Sequence, residues 1–198
     1  MNEIMNARRV MLNSIGGGAL LAGLAPAGAA RQAAPGPRVD YFPNAVVQNH
    51  DGVRFRFYDD IVRAKRVAFN MMYTSCSGIC PGNTANLLHV QQMLGDRLGR
   101  EVFMVSLTLR PDFDRPKDLK EYMQRYGIRP GWTFLTGSPP DIDTIRRKLG
   151  FYSLDPQVDA DIGQHTGMVR IGNEALDRWR MVPALSAPKQ IVRAILET

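Results

Sequence analysis

Val67, Ala68, Phe69, Met71 and Met72 make residues 66–73 apolar with almost no alternation, the pattern of a strand buried on both faces of a sheet. A second such run covers 102–109 and a third 132–135. Between them the period changes. Leu87, Leu88, Val90, Met93, Leu94 and Leu98 recur at helical spacing from Pro81, which suits the first turn, up to Gly99; residues 116–126 form a second helix stopped by Gly127; and Ser138 with Pro139 caps a third that runs through Leu149 to Gly150. Upstream, 46–48 and 53–57 alternate around His50, Asp51 and Gly52, which predicts a hairpin at the sheet edge. Downstream of an irregular acidic stretch over 152–163, residues 165–171 and 176–181 flank Gly172, Asn173 and Glu174 as a second hairpin, and a final helix covers 188–196.

Strands alternating with helices, then a hairpin and a helix, predict an α/β domain of thioredoxin-like fold with an extra N-terminal β-hairpin. The length of 198 residues fits one domain with a core large enough to fold without staples, so a sparse cysteine pair points to chemistry rather than scaffolding. Residues 1–30 read as an export signal: Arg8 and Arg9 followed by Leu12 resemble a twin-arginine signal, with small residues at 27–30 for cleavage. An ordinary secretory signal or an uncleaved anchor are the other readings, although the Gly- and Ala-rich stretch falls short of the roughly 20 apolar residues that span a bilayer. Residues 31–44, with Pro35, Pro37 and Pro43, are a linker, and 45–198 the folded domain. Each reading places the domain outside the cytoplasm, in the periplasm or held at the inner membrane. The net charge of +6 is dispersed, with no basic block interleaved with aromatics, so the sequence excludes a nucleic-acid surface.

Cys76 and Cys80 are the only cysteines and lie four apart, where the first buried strand gives way to a helix. That is the carboxyl end of a strand, the usual place for a site in an open α/β sheet. Cys80 precedes Pro81, so it is expected at the helix N-cap, where the positive end of the helix favours thiolate. Three intervening residues rather than two widen the loop and let both sulfurs face one point. Two thiolates with one imidazole suit one copper ion, as Cu(I) or Cu(II), and soft sulfur donors select copper or zinc over magnesium or calcium. His165 is the candidate imidazole, set between Gly163 and Gly167, which allow a close backbone approach to the cysteine loop. His50 is expected in a solvated turn and His89 within a helix, both structural. Asp155, Asp159 and Asp161 either orient the imidazole or form a solvated loop. Met71, Met72, Met104, Met168 and Met181 fall on predicted strands and read as core.

Cys76-Ser77-Gly78-Ile79-Cys80-Pro81 after Tyr73-Thr74, with Gly131-Trp132-Thr133-Phe134-Leu135-Thr136-Gly137 and then His165-Thr166, resembles the Sco/SenC family of copper-binding assembly proteins over about residues 43–196. The resemblance implies that Cys76, Cys80 and His165 bind one copper ion, Cu(I) or Cu(II), and that the protein is a metallochaperone for the dinuclear copper centre of cytochrome c oxidase subunit II, or for another copper-enzyme apo-protein. The alternative is a thiol-disulfide oxidoreductase, in which Cys76 and Cys80 reduce the copper-ligand cysteines of the oxidase subunit and a thiol reductant restores them. A peroxiredoxin-like peroxidase is a third reading. Many members of the family keep a transmembrane anchor, whereas this chain reads as exported, which bears on membrane association.

Overall fold

Asn70 interrupts the first apolar run, and its neighbours explain why it is tolerated. Its Oδ1 accepts a hydrogen bond from Ser106 Oγ at 2.7 Å, and Ser106 Oγ in turn accepts from Trp132 Nε1 at 2.8 Å. These three residues lie on adjacent strands, β3 (Arg66–Met72), β4 (Val102–Thr108) and β5 (Trp132–Gly137), so one polar chain fastens the middle of the sheet without an unpaired buried group. The computed structural model describes residues 36–164 and 167–198.

β3, β4 and β5 run parallel. The hairpin of β1 (Val46–Asn49) and β2 (Arg54–Arg56) attaches through β1, antiparallel to β5, which leaves β2 on the edge. On the other side of β3 come β6 (Met168–Asn173) and β7 (Arg178–Pro183), both antiparallel to their neighbours, so the order is β2-β1-β5-β4-β3-β6-β7. β3 is therefore central. One of its faces, with Ala68 and Met72, is covered by α1 (Ile79–Leu94), α2 (Pro116–Tyr126) and α5 (Pro188–Glu197) through Leu87, Val90, Leu119, Tyr122, Ile191 and Ile195. The opposite face, with Val67, Phe69 and Met71, is covered by α3 (Pro139–Lys148) and a wide helical turn over Phe57–Val62. This is the expected thioredoxin-like architecture with the hairpin added at one edge.

Several local expectations change. Phe57 does not extend the hairpin strand. Phe57, Tyr58, Ile61 and Val62 are all buried, the spacing of a helical face, and they enter the second core. The second hairpin turns later than its glycine suggests: Gly172 and Asn173 stay in β6, and the turn is Glu174–Leu176 followed by Asp177 in the left-handed region. Gly172 is needed for space, because a Cβ there would lie 2.2 Å from the Trp179 ring. Glu174 is buried and binds three separate groups, Tyr58 Oη at 2.8 Å, Ala64 N at 2.8 Å and Arg38 N at 3.3 Å.

The acidic stretch is also more ordered than its composition suggests. It holds the short α4 (Pro156–Ala160), capped by Asp155, whose carboxylate accepts from Gln157 N at 2.9 Å. The Asp159 side chain is only 6% exposed, with its oxygens 2.6 Å from Arg146 Nη1 and 2.7 Å from Arg147 Nη2 on α3. Asp159 is therefore committed to α3 and is not a solvated loop residue.

Candidate metal centre

β3 carries the chain to the edge of the sheet, and Leu109 N donates to Met72 O at 2.8 Å, the last rung before the strand ends. The loop then bends, with Cys76 N donating to Tyr73 O at 3.2 Å. α1 begins at Ile79 with Gly78 as its cap, two residues before the position expected from Pro81. Cys80 thus lies inside the first turn and faces the core at 2% exposure, whereas Cys76 is half-buried in front of the helix end. The cysteines are not joined in a disulfide.

The helix end acts on the other sulfur from the one expected. Burial is the largest influence on Cys76 and works against ionisation. Together, however, hydrogen bonds to its sulfur from the Cys80 side chain, from the N–H groups of Cys80 and Gly78, and from the Tyr73 hydroxyl outweigh it, so its pKa falls below the ordinary thiol value. Those N–H groups are the donors that a helix leaves unsatisfied at its start. Cys80 goes the other way: burial, then the hydrogen bond with Cys76, pushes its pKa up to about 12. The expectation that the helix end favours Cys80 as thiolate is therefore corrected, because burial exceeds the helix-end effect there. Tyr73, raised by burial and by its hydrogen bond to Cys76, stays a neutral donor at ordinary pH.

The asymmetry has a direct consequence. Limiting amounts of an alkylating reagent at neutral pH are expected to label Cys76 before Cys80, with a rate that falls only when the pH drops through the lowered Cys76 value. Peptide mapping by mass spectrometry reads the order, and preferential labelling of Cys80 would contradict the assignment.

His165 lies outside the described residues. Its neighbour in sequence Gly167 is described, and its carbonyl accepts from Ala184 N at 2.8 Å. A Cβ on Gly167 would come within 3.3 Å of Ile79 Cδ1 and 3.4 Å of Asn83 Nδ2, so this segment packs directly on the first turns of the helix that carries Cys80. Gly163 serves no such approach: its open side meets only the Asp161 side chain, whose Oδ1 accepts from Gly163 N at 2.8 Å. Asn83 is buried, and among the described residues its Oδ1 has no hydrogen-bond partner. Among the described residues no three His, Cys, Asp or Glu side chains gather as a metal site. The described part of the centre is the sulfur pair.

The remaining histidines stand apart from it. His50, expected in solvent, has a side chain only 17% exposed, with Nδ1 accepting from Phe134 N at 3.4 Å, and burial lowers its pKa. His89 is exposed on α1. Met71, Met72 and Met104 are buried, and Met168 and Met181 pack partly buried against the second core, so all five methionines are filler.

Two neighbours of the sulfurs escaped the reading of the sequence. Arg110, just past β4, donates from Nη1 to Ser75 Oγ at 3.0 Å and stacks on Phe113, its Cζ 4.1 Å from the ring centroid. It sits at the rim of a cavity of about 960 Å³ lined also by Phe113, Tyr152, Leu154 and Ile162. Asp114, the residue after Phe113 in the same loop as Arg110, reaches back to Thr74. Only contacts between strand ends reveal either role, and the sequence holds no local sign of them beyond the Tyr73-Thr74 pair.

Comparison with known proteins gives the pattern a context. The profile of the family described as SCO1/SenC matches residues 46–198. The chain is 30% identical over 91 residues to the SCO1 protein homolog of Bacillus subtilis, a match covering 46% of each. The matched part thus spans about half the length of the curated relatives. Among solved structures, Bradyrhizobium japonicum ScoI with copper bound superposes with a TM-score of 0.62 at 18% identity, covering 77% of this chain and 96% of that one. BsSco, described as a member of the Sco family of cytochrome c oxidase assembly proteins with a disulfide switch, superposes at 0.61 with 22% identity, over 77% and 89%. At these identities the superpositions show the shared fold.

Proposed function

The chain belongs to the SCO1/SenC family, and from that premise we propose that it is a copper metallochaperone, taking one copper ion on Cys76 and Cys80 with His165 completing the site. The observation that carries this reading is the pairing of the two cysteine side chains at the start of α1, Cys80 in its first turn and Cys76 in the loop before it, each acting on the ionisation of the other. Thiolates there are soft donors of the kind that select copper, and one is already favoured in ionised form. What supports His165 as the third donor is its place in the sequence, two residues before Gly167, which packs on Ile79 and Asn83 of the helix that carries Cys80. Copper is the cargo, and the recipient proposed is subunit II of cytochrome c oxidase. A centre with three protein donors leaves the ion open to attack by an incoming ligand, which is what transfer requires. The work is proposed to take place in the periplasm, on the reading of residues 1–30 as an export signal.

The unequal thiols favour a second reading. Cys76, half-buried and easily ionised, can attack one sulfur of a partner disulfide and expel the other as a thiolate. Cys80 then attacks the mixed disulfide, which frees the second partner thiol and leaves Cys76 and Cys80 joined, to be reduced by an external thiol. Anaerobic titration of the reduced protein with Cu(I) distinguishes the roles. Saturation at one equivalent is expected, with sulfur-to-copper charge transfer in the optical spectrum of the Cu(II) complex. Disulfide exchange without stoichiometric copper uptake would leave only the oxidoreductase.

A further inference from the structure

Asp114 lies in the loop between β4 and α2, 2% exposed, yet it is not spent on an ion pair with the arginines beside it in sequence. Its carboxylate accepts instead from Thr74 N at 3.1 Å, from Thr74 Oγ1 at 2.5 Å and from Thr108 Oγ1 at 2.5 Å. Thr108 Oγ1 also accepts from Arg110 N at 2.9 Å, and Asp114 N donates to Arg110 O at 2.8 Å. One buried side chain therefore holds the end of β4 to the first loop residues after β3. Thr74 gives both its donors to it.

Two residues after Thr74 comes Cys76, whose sulfur needs four donors placed at once: the Tyr73 hydroxyl, the N–H groups of Gly78 and Cys80, and the Cys80 thiol. Tyr73 and Thr74 are adjacent, so an anchor on Thr74 fixes where the phenol and the sulfur can meet. Past Thr74 the loop is held by Cys76 N donating to Tyr73 O and by Arg110 Nη1 donating to Ser75 Oγ. Ser75, Ser77 and Gly78 are exposed, and nothing would touch a Cβ at Gly78. Moving Thr74 would leave a buried carboxylate oxygen without its donors, so the exit of the chain from β3 is stiff. We propose that Asp114 is a positioning residue for the sulfur pair, acting through Thr74 to set the separation and direction of Cys76 relative to Cys80. The proposal rests on the reading of these two cysteines as the copper-binding thiolates and gives that site a support of the kind that orients metal ligands from behind.

The test uses the whole chain with Thr74→Val, Thr74→Ser and Asp114→Asn, and two readouts. One is Cu(I) affinity in competition with bicinchoninate. The other needs no copper: the equilibrium between dithiol and Cys76–Cys80 disulfide in glutathione buffers, read by mass spectrometry. Thr74→Val and Asp114→Asn are each expected to weaken Cu(I) binding about tenfold and to shift the dithiol equilibrium by at least about threefold. Thr74→Ser, which keeps the hydroxyl, should restore wild-type values in both. Near-UV circular dichroism checks that the fold is intact, and if Asp114→Asn fails to fold, the Thr74 pair carries the test alone. Wild-type values for Thr74→Val in both measurements would overturn the proposal, as would an equal change in Thr74→Ser. A wild-type chain that takes up no Cu(I) would defeat the metallochaperone reading, while the glutathione equilibrium would still decide the role of Asp114.

Discussion

Replacing Cys76 with serine is expected to weaken Cu(I) binding by at least about a hundredfold, the upper end of what loss of a merely supporting group produces, while leaving the fold unchanged. The hydroxyl that replaces the sulfur is hard and does not ionise near neutral pH, so the soft ion loses a donor rather than exchanging one. Cys76 is half-buried and belongs to a loop, so the fold does not depend on it. Cys80→Ser is a less clean experiment, because Cys80 is buried in the first core and a hydroxyl there needs a partner. The same Cys76→Ser variant should lose thiol-disulfide exchange, since the remaining thiol is held neutral by burial. Competition titration and an exchange assay together measure both losses. Affinity within a few-fold of wild type would remove Cys76 from the site.

The largest effect on stability is expected at Asp159. Its side chain is nearly inaccessible and is bound by Arg146 and Arg147, with Arg146 itself 12% exposed. Asp159→Ala would leave the buried Arg146 guanidinium with Asp143, a more exposed carboxylate, and the neutral Phe151 carbonyl, and breaking such a pair from one side costs about 3–5 kcal/mol. For a domain of this size that lowers the melting temperature by roughly 6–20 °C. The pH dependence follows from the same contacts. The hydrogen bond from Arg146, against the opposing pull of burial and with help from Ser153 N–H, holds the Asp159 carboxyl well below the usual aspartate range. Its contribution is therefore fully present above the ordinary aspartate value and is lost only as pH falls through the lowered one. Thermal melts of wild type and Asp159→Ala should converge in strong acid and stay apart from mildly acidic to neutral pH. Equal melting temperatures at pH 7 would contradict this account.

What the sequence revealed and what it hid divide along physical lines. β3 was legible because a strand covered on both faces carries no polar face, and α2 and α3 were legible because Gly127 in the left-handed region and Ser138, accepting from Asp141 N, mark their ends locally. Both sulfurs were legible as a pair from their spacing alone. Their inequality was not, because it depends on how deep each lies, and a two-residue shift in the helix start moved Cys80 from the cap into the core. The partners of Asp159, Glu174 and Asp114 were hidden for a similar reason. Each acidic side chain meets donors from other elements, and nothing in the adjacent residues distinguishes a carboxylate bound in this way from one in solvent. Gly172 misled because space beneath Trp179, and not a turn, is what it provides.

X-ray absorption at the copper edge on the copper-loaded chain, with His165→Ala alongside, bears most directly on whether two sulfurs and one imidazole meet around a single ion. Two sulfur scatterers and one histidine ring are expected for wild type, with the ring signature gone in His165→Ala. A spectrum lacking either sulfur, or an imidazole signature that persists without His165, would contradict the central claim.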